Sequence, residues 1–173
     1  MMQEQATFAG GCFWCTQHDF DLVPGLISTT VGYTGGTTQN PTYGQVCTGK
    51  TGHVEAIRIV FNPHKISYRQ LLDIYWHTID PTRGDGQFCD IGSQYRPMIF
   101  YHNEEQHQEA LASKNWLLES RTVPKVAVDI LPAMPFFPAE EYHQKYYQQS
   151  PVRYKMFHYG SGRAKRLREL WGP

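Results

Sequence analysis

Four cysteines carry the first chemical signal in this chain: Cys12, Cys15, Cys47 and Cys89. Cys12 lies in Gly10-Gly11-Cys12-Phe13-Trp14-Cys15. It follows a glycine pair, between a short strand candidate, Ala6–Ala9, and a segment from Phe13 to Leu22 that reads as a helix. Backbone N–H groups at a helix N-terminus favour an anion, so a thiol there is expected to ionise readily and to act as a nucleophile. Two glycines before it, two aromatics after it and a second cysteine three residues on disfavour the bland alternative of an inert buried cysteine. Cys15 completes a C-x-x-C, which alone is a redox pair, half of a zinc site or chance. Zinc needs more close ligands, and the sequence has no second C-x-x-C and no H-x-x-x-H, so no metal is expected. A thioredoxin-like pair is a rival reading. The bulky Phe13-Trp14 between the cysteines and the short lead before them count against that fold, though not against disulfide chemistry.

Glu55 is the second signal. It begins the alternating run Val54–Phe61, and a period of two puts it on one face with Ile57, Ile59 and Phe61. If that face is the core, the carboxyl is desolvated, stays protonated near neutral pH and can act as a general acid. A solvent-exposed strand end is the equal alternative. Tyr43 and Tyr95 sit in loops where phenols can donate hydrogen bonds to a polar oxygen. Asp90, beside Cys89, reads as a loop acid that would help position a site if the loop closes over one. His53 as a base for Cys12 would give a papain-like hydrolase, but nothing in the sequence brings the two together.

The elements that must position these residues are legible in outline. Ile27–Tyr33 reads as a strand and Thr34–Thr51 as a long loop. Ser67-x-x-Gln70 is a capping box opening a helix with Tyr68, Leu71, Leu72, Tyr75, Trp76 and Ile79 on its apolar stripe. Thr82–Tyr95 is a Gly- and Asp-rich loop and Pro97–Tyr101 a short strand. Asn103 caps a helix to about Glu119, with Ala110, Leu111, Leu117 and Leu118 on its apolar side. Val126–Leu131 reads as a strand and Pro138–Gln148 as a short helix. The basic tail from Val152 reads as a solvated helix face, and Cys47 as a core residue. Helices and strands mix without strict βα alternation, which favours α+β.

The 173 residues suit one domain, 1–173. Lys plus Arg equals Asp plus Glu at 16 each, which gives no support for nucleic acid or membrane as partner. Apolar runs are too short for a membrane span, and the N-terminus lacks the basic and apolar regions of a signal peptide, so a cytoplasmic location is expected.

Five segments occur in one order: Gly11-Cys12-Phe13-Trp14, Gly32-Tyr33-Thr34-Gly35-Gly36, Asn40-Pro41-Thr42-Tyr43, Thr51-Gly52-His53-Val54-Glu55-Ala56 and Gly92-Ser93-Gln94-Tyr95-Arg96. Together they resemble the A-type peptide-methionine (S)-S-oxide reductases. Pro135-Phe136-Phe137 and Glu141-Tyr142-His143-Gln144 extend the likeness towards the C-terminus. The resemblance implies an α+β two-layer sandwich, with a mixed, largely antiparallel sheet flanked by helices, long functional loops and an irregular C-terminal tail. It implies reduction of methionine S-sulfoxide, free or in peptides and proteins, by a monomer without a cofactor. The reductant would be an external thiol, thioredoxin or dithiothreitol. Cys12 would be the nucleophile. Phe13 and Trp14 would bind the substrate methyl group. Glu55, Tyr43 and Tyr95 would meet the sulfoxide oxygen, with Asp90 holding the site.

Two positions depart from that pattern. Ser161 stands where similar sequences often have a recycling cysteine, and the chain has no cysteine after Cys89. The candidates to resolve a Cys12 sulfenic acid are therefore Cys15 first and Cys89 second. Gln17 stands where similar sequences often have Glu, which removes a charge. The competing functions are a general C-x-x-C thiol-disulfide oxidoreductase and a non-catalytic module that binds methionine-like side chains.

Overall fold

The computed structural model describes residues 2–172. Six strands form one sheet in the order β7-β6-β1-β3-β2-β8. They are β1 (Glu4–Ala9), β2 (Leu26–Thr34), β3 (Val54–Phe61), β6 (Met98–Tyr101), β7 (Asp129–Pro132) and β8 (Phe137–Pro138). All neighbours pair antiparallel except β6 and β7, which run parallel. A separate hairpin joins β4 (Gly86–Gln87) and β5 (Asp90–Ile91). The α+β class expected from the sequence is the class observed.

Strand parity sorts the sheet into two faces. Phe8 of β1 lies opposite Ile57 of β3, which lies opposite Val31 of β2. These residues and Ala6, Ile59 and Phe61 are fully buried with the apolar stripes of the helices. Helix α1 (Phe13–Asp21) contributes Phe20 and helix α3 (Tyr68–Thr78) contributes Leu71, Leu72, Tyr75 and Trp76. Phe8 stacks on Tyr75 at 4.9 Å and on Phe20 at 5.7 Å, and each such buried side chain is worth about 1.5–3 kcal/mol. The opposite face carries the smaller cluster Ala9, Val54, Ala56, Met98 and Phe100, covered by Phe136.

The helix starts follow their caps. Ser67 and Gln70 make the reciprocal capping box that opens α3. Asn103 accepts from Gln106 N at 2.9 Å at the start of α4 (Glu104–Glu119). A second capping box, Thr42 with Gln45, nucleates a short helix α2 (Tyr43–Cys47) inside what reads as a continuous loop.

Several sequence expectations need correction. The tail is helical rather than irregular: α6 spans Pro151–Gly160 and α7 spans Arg163–Trp171. It is not wholly a solvated face, because Tyr154 and Arg163 are buried. Pro138–Gln148 is not one helix. Pro138 ends β8, a single 3-10 turn covers Glu141–His143, and α5 is confined to Tyr146–Gln149 after Lys145 adopts a left-handed φ of 49°. Leu118 faces solvent; Ser113 takes the buried position, accepting from the Trp76 indole at 3.1 Å. Cys47 is exposed rather than in the core, with Val46 buried in its place.

The return of the chain after β8 is fixed by one side chain. Gln144 accepts from Val31 N at 3.0 Å and donates to Val31 O at 2.9 Å and Ala139 O at 3.0 Å, so its amide mimics a paired strand residue. A Gln144→Ala substitution strands the buried Val31 N–H, and is expected to cost about 1–3 kcal/mol in urea unfolding. The exposed Gln148→Ala serves as the control, with a change near zero.

Candidate active site

A cavity of about 230 Å³ opens at the N-terminus of α1. Cys12, Phe13, Trp14, Tyr43, Glu55, Asp90 and Tyr95 all line it, so the nucleophile candidate, the acid, both phenols, the aromatic pair and the loop acid meet in one place. Phe157 of α6 completes the lining. The fold explains the convergence. Glu55, near the start of β3, pairs with Tyr33 near the end of β2, and Cys12 caps the helix that follows β1 beside it. Tyr43 starts α2, and Tyr95 ends a 3-10 turn after the β4–β5 hairpin that carries Asp90. Gly11 at φ 85° makes the turn into Cys12; a Cβ there would lie 2.7 Å from the Gln87 side chain.

Glu55 is 2% exposed. Phe13 N, the first amide of α1, donates to its Oε1 at 3.1 Å. Burial drives its pKa up to about 8; the Phe13 amide opposes the shift, and Asp90 and Cys15 add to it. That first amide of the helix thus serves the carboxyl. Burial, then Cys15, raise the Cys12 thiol well above the ordinary cysteine range, so the ready ionisation expected of Cys12 from its helix position is not found. Cys15 is 1% exposed. Its interaction with Cys12 lowers it to about 7 against the opposing effect of burial, helped by Arg163 and Tyr154.

Both phenols stay protonated: burial, then Glu55, raise Tyr43 and Tyr95. They can donate hydrogen bonds but not protons at neutral pH. Burial also raises Asp90, with Arg163 opposing. Tyr43 is held by Glu140, whose Oε2 accepts from Tyr43 N at 2.9 Å while Oε1 accepts from the Tyr33 hydroxyl at 2.8 Å.

The aromatic wall has supports that sequence reasoning did not assign. Trp14 stacks on Tyr146 at 3.9 Å and donates from its indole to His143 Nδ1 at 2.9 Å. The proton of His143 must then sit on Nε2, since an indole can only donate. Burial lowers the pKa of His143, which keeps the ring neutral. His143 also packs on Tyr43 at 4.4 Å and Phe13 at 5.2 Å. His143 stood in a recognised segment, but nothing in its spacing tied it to Trp14. Phe157 left no sequence signal.

The remaining candidates lie outside the cavity. His53 is buried, but Gly36 N donates to its Nδ1 at 3.1 Å and its Nε2 pairs with Thr38 O at 2.7 Å. Both ring nitrogens hold the loop, and neither is free to serve Cys12. Cys89 and Cys47 are exposed. Gln17 is buried and structural, accepting from Lys145 N at 2.7 Å and donating to Thr29 Oγ1 at 3.1 Å. Ser161 donates to His158 O at 2.7 Å and accepts from Arg163 N at 3.2 Å, capping the start of α7. Among the described residues, no group of three or more His, Cys, Asp or Glu is placed to hold a metal ion. None of their helices is long and apolar enough to cross a membrane.

The family model "Peptide methionine sulfoxide reductase" matches residues 4–173. The chain is 52% identical to peptide methionine sulfoxide reductase MsrA of Bacillus licheniformis, over 98% of this chain and 94% of the relative. Its fold is similar to reduced Mxr1 of Saccharomyces cerevisiae, with a TM-score of 0.79 and 32% identity over 86% of each chain. Mxr1 in complex with Trx2 has the same fold at a TM-score of 0.58 and 24% identity, covering 83% of this chain and 84% of that one.

The buried carboxyl gives a stability prediction. A Glu55 pKa raised to about 8 in the fold, against the ordinary glutamate range when unfolded, favours the unfolded chain progressively as pH rises through that window. Glu55→Gln is therefore expected to stabilise the protein at pH 7 by on the order of 1–3 kcal/mol in chemical unfolding. The advantage should vanish near pH 4, where both side chains are neutral.

Proposed function

The chain belongs to the peptide methionine sulfoxide reductase family, and from that premise we propose that this cavity reduces methionine S-sulfoxide, free or in peptides and proteins, to methionine. The observation that carries the assignment of roles is the meeting of Cys12 with a buried, neutral Glu55 under an aromatic wall.

Phe13 and Trp14 receive the methyl group and leave little room for a more polar substituent. The sulfoxide oxygen meets Glu55, with Tyr43 and Tyr95 donating hydrogen bonds, which makes the sulfur electrophilic. Asp90 helps to hold the site. In the first step Cys12 passes its proton to the Cys15 thiolate and attacks the sulfoxide sulfur. Glu55 gives its proton to the oxygen. The oxygen moves to Cys12 as a sulfenic acid, and methionine leaves. In the second step Cys15 attacks the Cys12 sulfur, the S–O bond breaks, and the leaving hydroxide takes the Cys15 proton as water. A Cys12–Cys15 disulfide and an ionised Glu55 remain, so protons and charge balance. The neighbourhood of Cys15 and Cys12, set against the exposed position of Cys89, supports Cys15 as the resolving thiol.

An external dithiol then regenerates the pair. A thioredoxin is the physiological reductant in this reading, supported by the solved complex of Mxr1 with Trx2. In this reading the protein acts as a monomer. Exposed free thiols at Cys47 and Cys89 suit the reducing cytoplasm.

With dithiothreitol as reductant, turnover of the S-sulfoxide is expected and the R-epimer should be untouched. Cys12→Ser should abolish turnover. Insulin reduction without sulfoxide turnover would instead identify a general thiol-disulfide oxidoreductase. One turnover without reductant should give one equivalent of methionine and, by mass spectrometry, a Cys12–Cys15 link; a Cys12–Cys89 link would remove Cys15 from this role. The single-turnover rate should fall as pH rises through about 8, where Glu55 loses its proton.

A further inference from the structure

Beside the catalytic cavity lies a second and larger one, a groove of about 1000 Å³ against about 230 Å³. Residues of α1, α5, α6 and α7 line it. One wall is a chain of rings. His18 meets Tyr147 edge-on at 5.0 Å and Tyr154 at 5.3 Å, and Tyr154 meets His158 at 5.8 Å. Tyr159, 92% exposed, also lines the groove.

The two cavities share their walls. Trp14 lines the catalytic cavity, and His18, one helical turn further along α1, lines the groove. Phe157 of α6 lines the first, while Tyr154 and His158 of the same helix line the second. Tyr146 of α5 stacks on Trp14 at 3.9 Å, and the next residue, Tyr147, lines the groove. An α-helix with its side chains is about 10–12 Å thick, a span of three or four residues of extended polypeptide. A chain whose methionine sulfoxide sits at Cys12 therefore reaches the groove with residues about three to five positions away.

The groove has one sign of charge. Lys155, Lys165 and Arg168, all exposed, line it with His18 and His158, and no Asp or Glu among the described residues does. Among the described residues none of the three cations forms an ion pair. The chain as a whole is balanced at 16 and 16, so the patch is not a consequence of composition. The acids on these four helices face other partners. Asp21 accepts from Lys145 at 2.8 Å and from the Tyr147 hydroxyl at 2.6 Å, Glu169 faces Arg166 at 3.3 Å, and Asp19 lies 3.5 Å from His18 Nδ1. Unpaired cations grouped in a cleft draw an anionic partner. Continuity with the catalytic cavity means that this partner arrives attached to the reacting side chain.

We propose that the groove binds the polypeptide flanking the methionine sulfoxide, and that Lys155, Lys165 and Arg168 select substrates with acidic residues three to five positions from the oxidised methionine. This deepens the reading of the catalytic cavity given above and rests on it. Free methionine sulfoxide does not extend into the groove and is indifferent to its charge.

The test uses three peptides with methionine S-sulfoxide at the centre and Glu, Gln or Lys at the third to fifth positions on both sides. With dithiothreitol as reductant at low ionic strength, kcat/KM is expected to fall in the order Glu, Gln, Lys, with about tenfold between Glu and Gln. The preference should fade in about 1 M salt, where screening reaches about 3 Å. Combined Lys155→Glu, Lys165→Glu and Arg168→Glu should abolish or invert it and leave turnover of free methionine sulfoxide unchanged. If the combined variant does not fold, each single reversal should reduce the preference about twofold. Equal rates for the Glu and Gln peptides, or a preference that survives the reversals, would overturn the proposal. So would an effect of the reversals seen only when thioredoxin replaces dithiothreitol, which would assign the cations to the reductant. Binding of labelled peptides to Cys12→Ser, followed by fluorescence anisotropy, separates this proposal from the reading beneath it. If the native protein reduces no methionine sulfoxide while Cys12→Ser binds the Glu peptide about tenfold more tightly than the Gln peptide, the catalytic reading fails and the charge selectivity of the groove stands. Equal binding of the two peptides rejects the selectivity whatever the turnover.

Discussion

Desolvation of one carboxyl governs this site. Glu55 sits on the face of β3 that elsewhere carries Ile57, Ile59 and Phe61, so the parity that builds the core also buries the acid. The same dry surroundings push Cys12 upward, which leaves a neutral thiol beside a neutral acid in the resting state. Such a pair is inert until a substrate brings an oxygen to be protonated.

The rest of the molecule can be understood as support for that arrangement. The sheet fixes Glu55 and the turn before Cys12. Glu140 fixes Tyr43 through its backbone, and His143 fixes Trp14 through its indole. Gln144 and Gln17 fasten the segment between β8 and α5, Gln144 to β2 and Gln17 to α1 and β2. From there α6 and α7 return across the site, bringing Phe157 to the cavity and Arg163 to the Gly10 carbonyl before Cys12. The helical tail is thus a wall of the site.

Much of this was legible in the residues, for identifiable reasons. The strand around Glu55 showed itself by alternation, and α3 by its capping box and apolar stripe, because both are local patterns. Cys12, Glu55, Tyr43, Tyr95 and Asp90 stand out by residue type and local context, the order of motifs adds roles for them and for Phe13 and Trp14, and all seven meet in one cavity. What escaped were long-range facts. Burial of Arg163 depends on contacts with Gly10 and Thr78, distant in sequence, and a basic helix start gives no hint of it. The interruption of Pro138–Gln148 depends on the left-handed Lys145, which Gln17 holds from α1. Cys47 was misplaced because a cysteine beside a valine looks apolar, while the turn of α2 buries only Val46. The ready ionisation expected of Cys12 fails because burial, which a helix start does not reveal, raises its thiol.

The central claim is that Glu55 is an uncharged acid at the pH where the enzyme works. It is tested most directly by following the side-chain carboxyl carbon of Glu55 in the substrate-free protein by carbon-13 NMR as pH is raised, with Glu55→Gln identifying the resonance. The account predicts a midpoint near 8. A midpoint in the ordinary glutamate range, near 4.5, would contradict it.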